Sequence, residues 1–155
     1  MNSFEEILNK EEFEKQDIIT LLNSEGKQKE ELLKKALEVK IKYVGNDVHL
    51  RGLIEYSNRC EKYCLYCGLR NKNEKVIRYT LKDEEVLDCA RQAMTLGYGS
   101  LAIQSGERTD EEFVDKIAYF LKEIKKISNG TLGITLSCGE QTKETYKKWF
   151  DCGAH

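Results

Sequence analysis

The chain has 155 residues, 40% of them hydrophobic and 34% charged, which is enough for one globular domain with a real core. Its formal net charge is −2 and its isoelectric point is near 5.8, so neither nucleic acid nor membrane is an expected partner. No apolar run approaches the ~20 residues of a membrane span, and the acidic start MNSFEEILNK lacks the basic-then-apolar layout of a signal peptide. Six cysteines without a secretory signal suit a reducing cytoplasm, not a disulfide framework.

In chain order, Phe4 to Leu22 carries two short helical patterns, marked by Ile7 and Leu8 and then by Ile18, Leu21 and Leu22. A longer helix is predicted from Lys29 to about Tyr43, with Leu33, Ala36, Leu37, Ile41 and Val44 at helical spacing and its lysines and glutamates on a solvated face. Residues 1–47 thus read as an N-terminal helical segment and 48–155 as a second region. Gly45-Asn46-Asp47 turns the chain into a first strand holding Leu50, Leu53, Ile54 and Tyr56. Asn71 to Lys75 is polar and loop-like. Thr80-Leu81-Lys82-Asp83 has the look of a capping box, opening a helix to about Leu96 with Val86, Leu87, Ala90, Ala93 and Met94 inward. Ser100 to Gln104 is a second strand. From Asp110 a helix follows with Phe113, Ile117, Phe120, Leu121, Ile124 and Ile127 as a core stripe. Leu132 to Ser137 is a third strand and Gln141 to about Phe150 a last helix, in which Trp149 is a packing residue. Strand alternating with helix three times is the rhythm of a parallel α/β sheet.

Chemistry concentrates after the first strand, where Cys60, Cys64 and Cys67 fall within eight residues. Soft thiolates select zinc, Cu(I) or iron–sulfur clusters. A structural zinc site wants four ligands, usually two separated pairs, and here there is one tight group; His49 and His155 offer no obvious fourth. Three cysteines on a 4Fe–4S cluster leave one iron open, which suits substrate chemistry. Against these stands the plain alternative of clustered free thiols or an adventitious metal site. The segments QSGE and LSCGE fall, like the cysteine loop, at the C-terminal ends of successive predicted strands, the face on which α/β barrels build their active sites.

C-x-x-x-C-x-x-C with Tyr66 before the last cysteine resembles the signature of the radical-SAM superfamily. RGLIEYSN, CLYCGLRNKN, Arg78-Tyr79-Thr80, IQSGE and ITLSCGE are in turn similar to segments of the HydE family of FeFe-hydrogenase maturases, relatives of biotin synthase and methylornithine synthase, in family order from about Leu32 onward. The resemblance implies an α/β fold that is part of a TIM-type (βα) barrel, about three βα units preceded by N-terminal helices, in a chain about half the family's length.

It also implies roles. Cys60, Cys64 and Cys67 would ligate a 4Fe–4S cluster whose open iron is chelated by S-adenosylmethionine, giving a 5′-deoxyadenosyl radical. Tyr66 would lie beside the adenine, or merely cover the cluster. Gln104, Ser105, Gly106 and Glu107 would receive the SAM ammonium, with Gly106 permitting close backbone approach. Thr135 and Ser137 would line the substrate pocket. No residue of the chain itself is assigned a catalytic role. The implied partners are a small-molecule or iron-complex substrate, a low-potential electron donor and other hydrogenase maturases. Arg108 and Cys138 depart from the family pattern, and Cys89, Cys138 and Cys152 read as free thiols. The competing functions are a biotin synthase- or methylornithine synthase-type enzyme, a non-catalytic iron–sulfur carrier, which would need Cys89 or Cys138 as fourth ligand, and an inactive fragment.

Overall fold

In the computed structural model, which describes residues 3–155, a capping box starts the first helix, α1 (Phe4–Leu8). Ser3 Oγ accepts from the Glu6 N–H at 3.2 Å, and the Glu6 carboxylate accepts from the Ser3 N–H at 2.7 Å. In α2 (Lys15–Leu22) the Asp17 carboxylate accepts the N-cap N–H of Glu14 at 2.9 Å and also pairs with Lys10 at 2.7 Å. Helix α3 (Gly26–Val44) ends this first compact unit, which closes at Val48. The apolar stripe expected on α3 is there, but it is not buried: Leu33, Leu37, Ile41 and Val44 are all exposed. Its companions in the unit, of five and eight residues, are too short to cover a helix of nineteen.

The second unit, His49–His155, is the α/β part. Its elements run β1 (Arg51–Ser57), α4 (Asp83–Thr95), β2 (Ser100–Ser105), α5 (Glu111–Ile127), β3 (Gly133–Ser137) and α6 (Lys143–Asp151). The strands form a parallel sheet in the order β1-β2-β3. Period-two alternation divides the side chains between two faces. Ile54 and Tyr56, Leu101 and Ile103, and Ile134 meet the helices and are buried. Against them pack Val86, Leu87 and Ala90 of α4, and Phe113, Ile117, Phe120, Leu121 and Ile124 of α5. Trp149 of α6 completes this core, its Nε1–H donating to the Val114 carbonyl at 3.0 Å. Burial of each large apolar side chain here contributes roughly 1.5–3 kcal/mol. The opposite face carries Leu53, Glu55, Gln104 and Ser137, which are exposed, and Ala102 and Thr135, which are half-buried; the core helices of this unit pack on the other side.

Three local readings change. The cap of α4 is not Thr80: Lys82 is the N-cap, and the Glu85 carboxylate accepts its N–H at 2.6 Å. Thr80 is occupied elsewhere, its Oγ1 2.9 Å from Ser57 Oγ, in an isolated bridge to the end of β1. Met94, expected inward, is 37% exposed on the last turn of α4. The last helix starts later than Gln141: its N-cap is Thr142 and α6 opens at Lys143. Among the described residues, no helix is long and apolar enough to cross a membrane.

Candidate functional site

Parallel strands put their C-terminal ends, and the loops that follow, at one edge of the sheet. The loop after β1 carries the three cysteines, the loop after β2 carries Gly106 and Glu107, and the loop after β3 carries Cys138, Gly139 and Glu140. The three loops touch. The Gly106 N–H donates to the Ser57 carbonyl at 2.9 Å, and the Glu61 N–H donates to the Glu107 carbonyl at 2.8 Å. A Cβ on Gly106 would strike the Arg59 carbonyl oxygen and lie 2.7 Å from its carbon and 2.8 Å from Cys60 Cβ. A Cβ on Gly139 would run into the Glu107 side chain, 2.6 Å from Oε2. Glycine at both positions is therefore a condition of the close approach.

Charge follows the same contacts. Lys62 Nζ, two residues after Cys60, stands 2.9 Å from Glu107 Oε1 and 3.9 Å from Glu140 Oε2. The Glu107 carboxylate at this distance holds the Lys62 ammonium above its ordinary pKa. Arg108 holds the start of α5. Its Nε and Nη2 both grip the Asp110 carboxylate at 2.8 Å, and Asp110 in turn caps α5 by accepting from the Phe113 N–H at 3.1 Å.

The cysteine loop itself is turned and pinned by backbone bonds. The Cys67 N–H donates to the Cys64 carbonyl at 3.0 Å, and the Leu69 N–H points at Cys67 Sγ at 3.4 Å. Cys60, Cys64 and Cys67 are all half-buried and free. Among the described residues no three Cys, His, Asp or Glu side chains stand together in a metal-ready group. The donor set fits a soft metal or an iron–sulfur cluster: three thiols on one partly open loop, one of them already receiving an N–H.

The other predicted residues fall into two places. Gln104, Thr135 and Ser137 are on the open face of the sheet, with Gln104 in register between Glu55 and Ser137. Ser105 is half-buried, its Oγ donating to the Gly106 carbonyl at 2.7 Å, and Gly106 is buried. Tyr66 is 92% exposed and stands off from the rest. Cys138 is buried, its thiol 3.7 Å from the Ile103 carbonyl, whereas Cys89 is exposed and Cys152 half-buried. Burial first, only partly offset by Ser105 and the Ser137 backbone, pushes the Cys138 thiol up.

Sequence reading gave no role to Asn58 or Lys62. The signal for Lys62 was its place between two ligand candidates.

Comparison with known proteins agrees with this geometry. The chain is 45% identical over 126 residues to the [FeFe] hydrogenase maturase subunit HydE of Thermotoga maritima, covering 81% of this chain and 35% of that protein. It is 30% identical over 141 residues to a biotin synthase of Citrifermentans bemidjiense, covering 88% of this chain and 42% of the relative. The crystal structure of methylornithine synthase (PylB) superposes with a TM-score of 0.80 at 26% identity, over 98% of this chain and 45% of that one. The chain thus spans less than half the length of these relatives. No family model matches.

Proposed function

We propose that this chain, which belongs to the radical-SAM superfamily, supplies the cluster loop and part of the SAM site of an enzyme of FeFe-hydrogenase cofactor maturation. Cys60, Cys64 and Cys67 would hold a 4Fe–4S cluster. Once reduced by an external one-electron donor, that cluster would supply the electron for cleavage of S-adenosylmethionine to methionine and a 5′-deoxyadenosyl radical. The chain's own residues position and shield. Glu107, with its carboxylate mostly buried, offers a negative group for the SAM ammonium at the end of β2. Gln104 adds a polar contact on the open sheet face, while Thr135 and Ser137 present hydroxyls to a substrate on the same face. Tyr66, free in solvent, is available to lie against the adenine.

The observation that carries the reading is the contact of Gly106 with Cys60, which brings the second strand's end against the first cysteine. The greater identity to HydE than to biotin synthase favours maturation over biotin formation. A closed, four-cysteine carrier is disfavoured by Cys138, whose thiol is buried against the Ile103 carbonyl.

Anaerobic reconstitution tests this. Iron at one site-differentiated 4Fe–4S cluster per chain, lost on changing any one of Cys60, Cys64 or Cys67 to Ala, is the expected result, as is a change in the reduced-cluster EPR spectrum on adding SAM. Stoichiometric zinc with no iron–sulfur absorption sinks the reading. A spectrum indifferent to SAM turns it toward the carrier.

A further inference from the structure

The 22 residues from Asn58 to Tyr79 leave the end of β1 and return to it, and the three cysteines lie inside this excursion. Its neck is tied by polar groups. Ser57 Oγ donates to the Tyr79 carbonyl at 2.9 Å, and the Leu81 N–H donates to the Tyr56 carbonyl at 2.9 Å. Asn58, only 7% exposed, works both ways: its Nδ2 donates to the Ile77 carbonyl at 2.8 Å and its Oδ1 accepts the Tyr79 N–H at 2.8 Å.

Arg78 then turns inward and fills the loop. Nη1 donates to the carbonyls of Asn58 at 2.6 Å and Leu69 at 2.8 Å. Nη2 donates to those of Arg70 at 2.7 Å and Asn73 at 3.4 Å. One guanidinium therefore joins the loop's entrance to the turn that follows Cys67. Backbone carbonyls removed from water need such donors, and a planar fork offers five in fixed, divergent directions against an ammonium's three on one point charge.

We propose that Arg78 is a positioning residue: with Asn58 it forms a clasp that holds the cysteine loop in its folded path before any metal is present. A loop of this length without regular structure would otherwise sample many conformations and lose that freedom on taking up a ligand. The clasp reduces that loss in advance. Its first part stands on the hydrogen bonds alone; its consequence for metal uptake rests on the reading of Cys60, Cys64 and Cys67 as ligands.

The test uses the metal-free 155-residue chain, its Arg78→Lys and Arg78→Gln variants, and Asn58→Asp, which keeps the acceptor for Tyr79 but removes the donor to Ile77. Hydrogen exchange followed by mass spectrometry reads peptides from the loop, with a peptide from α5 as the control for global folding. Both Arg78 variants should exchange at least about tenfold faster across residues 58–79, with α5 unchanged, since loss of charge-assisted hydrogen bonds is worth at least that factor. Asn58→Asp should loosen the neck near residues 76–79. Iron uptake on reconstitution should fall in the Lys variant as in the Gln variant. Wild-type protection in Arg78→Lys would show that charge alone suffices, and wild-type protection in Arg78→Gln that the loop closes without the clasp; either overturns the proposal. So does equal loss of protection in α5, which would make Arg78 a support of the whole fold. If the wild-type chain takes up no iron, the cluster reading fails while the exchange result still decides the clasp.

Discussion

Lys62 and Glu107 form an ion pair, Nζ to Oε1 2.9 Å, that crosses from the cysteine loop to the end of β2. The two partners are not equally placed: the Glu107 side chain is 12% exposed and that of Lys62 47%. Removing the lysine therefore strands a carboxylate that is short of water, whereas removing the carboxylate frees a lysine that can hydrate. Lys62→Met should lower the stability of the fold more than Glu107→Gln does, and the double variant should be more stable than the sum of the two changes predicts. Urea denaturation of the four proteins measures this. The sign with pH follows from the raised Lys62 pKa: the pair's contribution is whole below the ordinary lysine value and is lost as pH rises through the folded-state value. The alkaline limb of the stability profile should flatten in Lys62→Met. Additive effects would mean the pair is not coupled.

Gly106→Ala tests the approach of the two loops. The added Cβ meets backbone, the Arg59 carbonyl, and not the movable end of a side chain. Overpacking of this sort costs about 1–3 kcal/mol, and the strain falls next to Cys60. Thermal denaturation should show the loss, with iron uptake falling alongside it. Gly68→Ala, where a Cβ has open space around it, is the control and should cost far less.

Much of this unit was legible in the sequence. Alternation and helical spacing placed the three strands and the core stripe of α5 because those signals are local and the residues are buried on one side. What could not be read were interactions between loops. Arg78 stood out only as part of a family-like segment; its four carbonyl partners belong to residues 58, 69, 70 and 73 and are brought within reach by the fold of the loop. Thr80 looked like a cap because its spacing to Asp83 fits one, but the Ser57 hydroxyl competes for it and wins. The exposed stripe of α3 shows the converse limit: periodicity marks a face able to pack, and says nothing of whether a partner is present.

Asp110 should give α5 an acid-sensitive start. Burial pushes its carboxyl up, but the Arg108 guanidinium and the Phe113 N–H more than reverse this and leave it below its ordinary value. A depressed carboxylate stabilises the fold above the unfolded-state pKa, and that contribution is lost as pH falls through the folded-state value. Asp110→Asn keeps a capping oxygen and loses the charge, so its stability should match the wild type more closely at pH 3 than at pH 7. Asp110→Ala loses the cap as well and should be about 1 kcal/mol less stable than Asp110→Asn at both. Equal losses for Asn and Ala at neutral pH would show that the oxygen's cap contributes nothing.

The free thiols should separate by reactivity. Cys89 is exposed on α4, while Cys138 is 3% exposed and its pKa is raised by burial. Only the thiolate reacts, and only where reagent can reach it. In a pulse of iodoacetamide at pH 8 on the folded chain, Cys89 should be modified and Cys138 protected, with protection lost in urea. Early modification of Cys138 would place it at the surface and restore it as a candidate fourth ligand.

The open face of the sheet gives the last prediction. Leu53 is 58% exposed there, beside Ala102 and Thr135 in the same cross-strand row. Both outer strands also offer backbone groups. Tyr79 to Leu81 cover only the C-terminal end of β1, and along β3 the His155 N–H meets the Ile134 carbonyl at 2.8 Å while Lys125 reaches that of Leu132. The remaining stretches, Arg51 to Ile54 and Thr135 to Ser137, are templates for pairing with another chain. A sheet with a bare apolar patch between two such edges should self-associate when the 155-residue polypeptide is prepared by itself, and should bind a hydrophobic dye. Leu53→Lys places a charge at the centre of the patch without touching the buried face, so it should reduce association while leaving the helical signal and the melting behaviour nearly unchanged. Light scattering over a concentration series reads the first effect and circular dichroism the second. A wild-type chain that stays monodisperse at high concentration, or a Leu53→Lys chain that associates as strongly as the wild type, would show that this face is not what holds copies together.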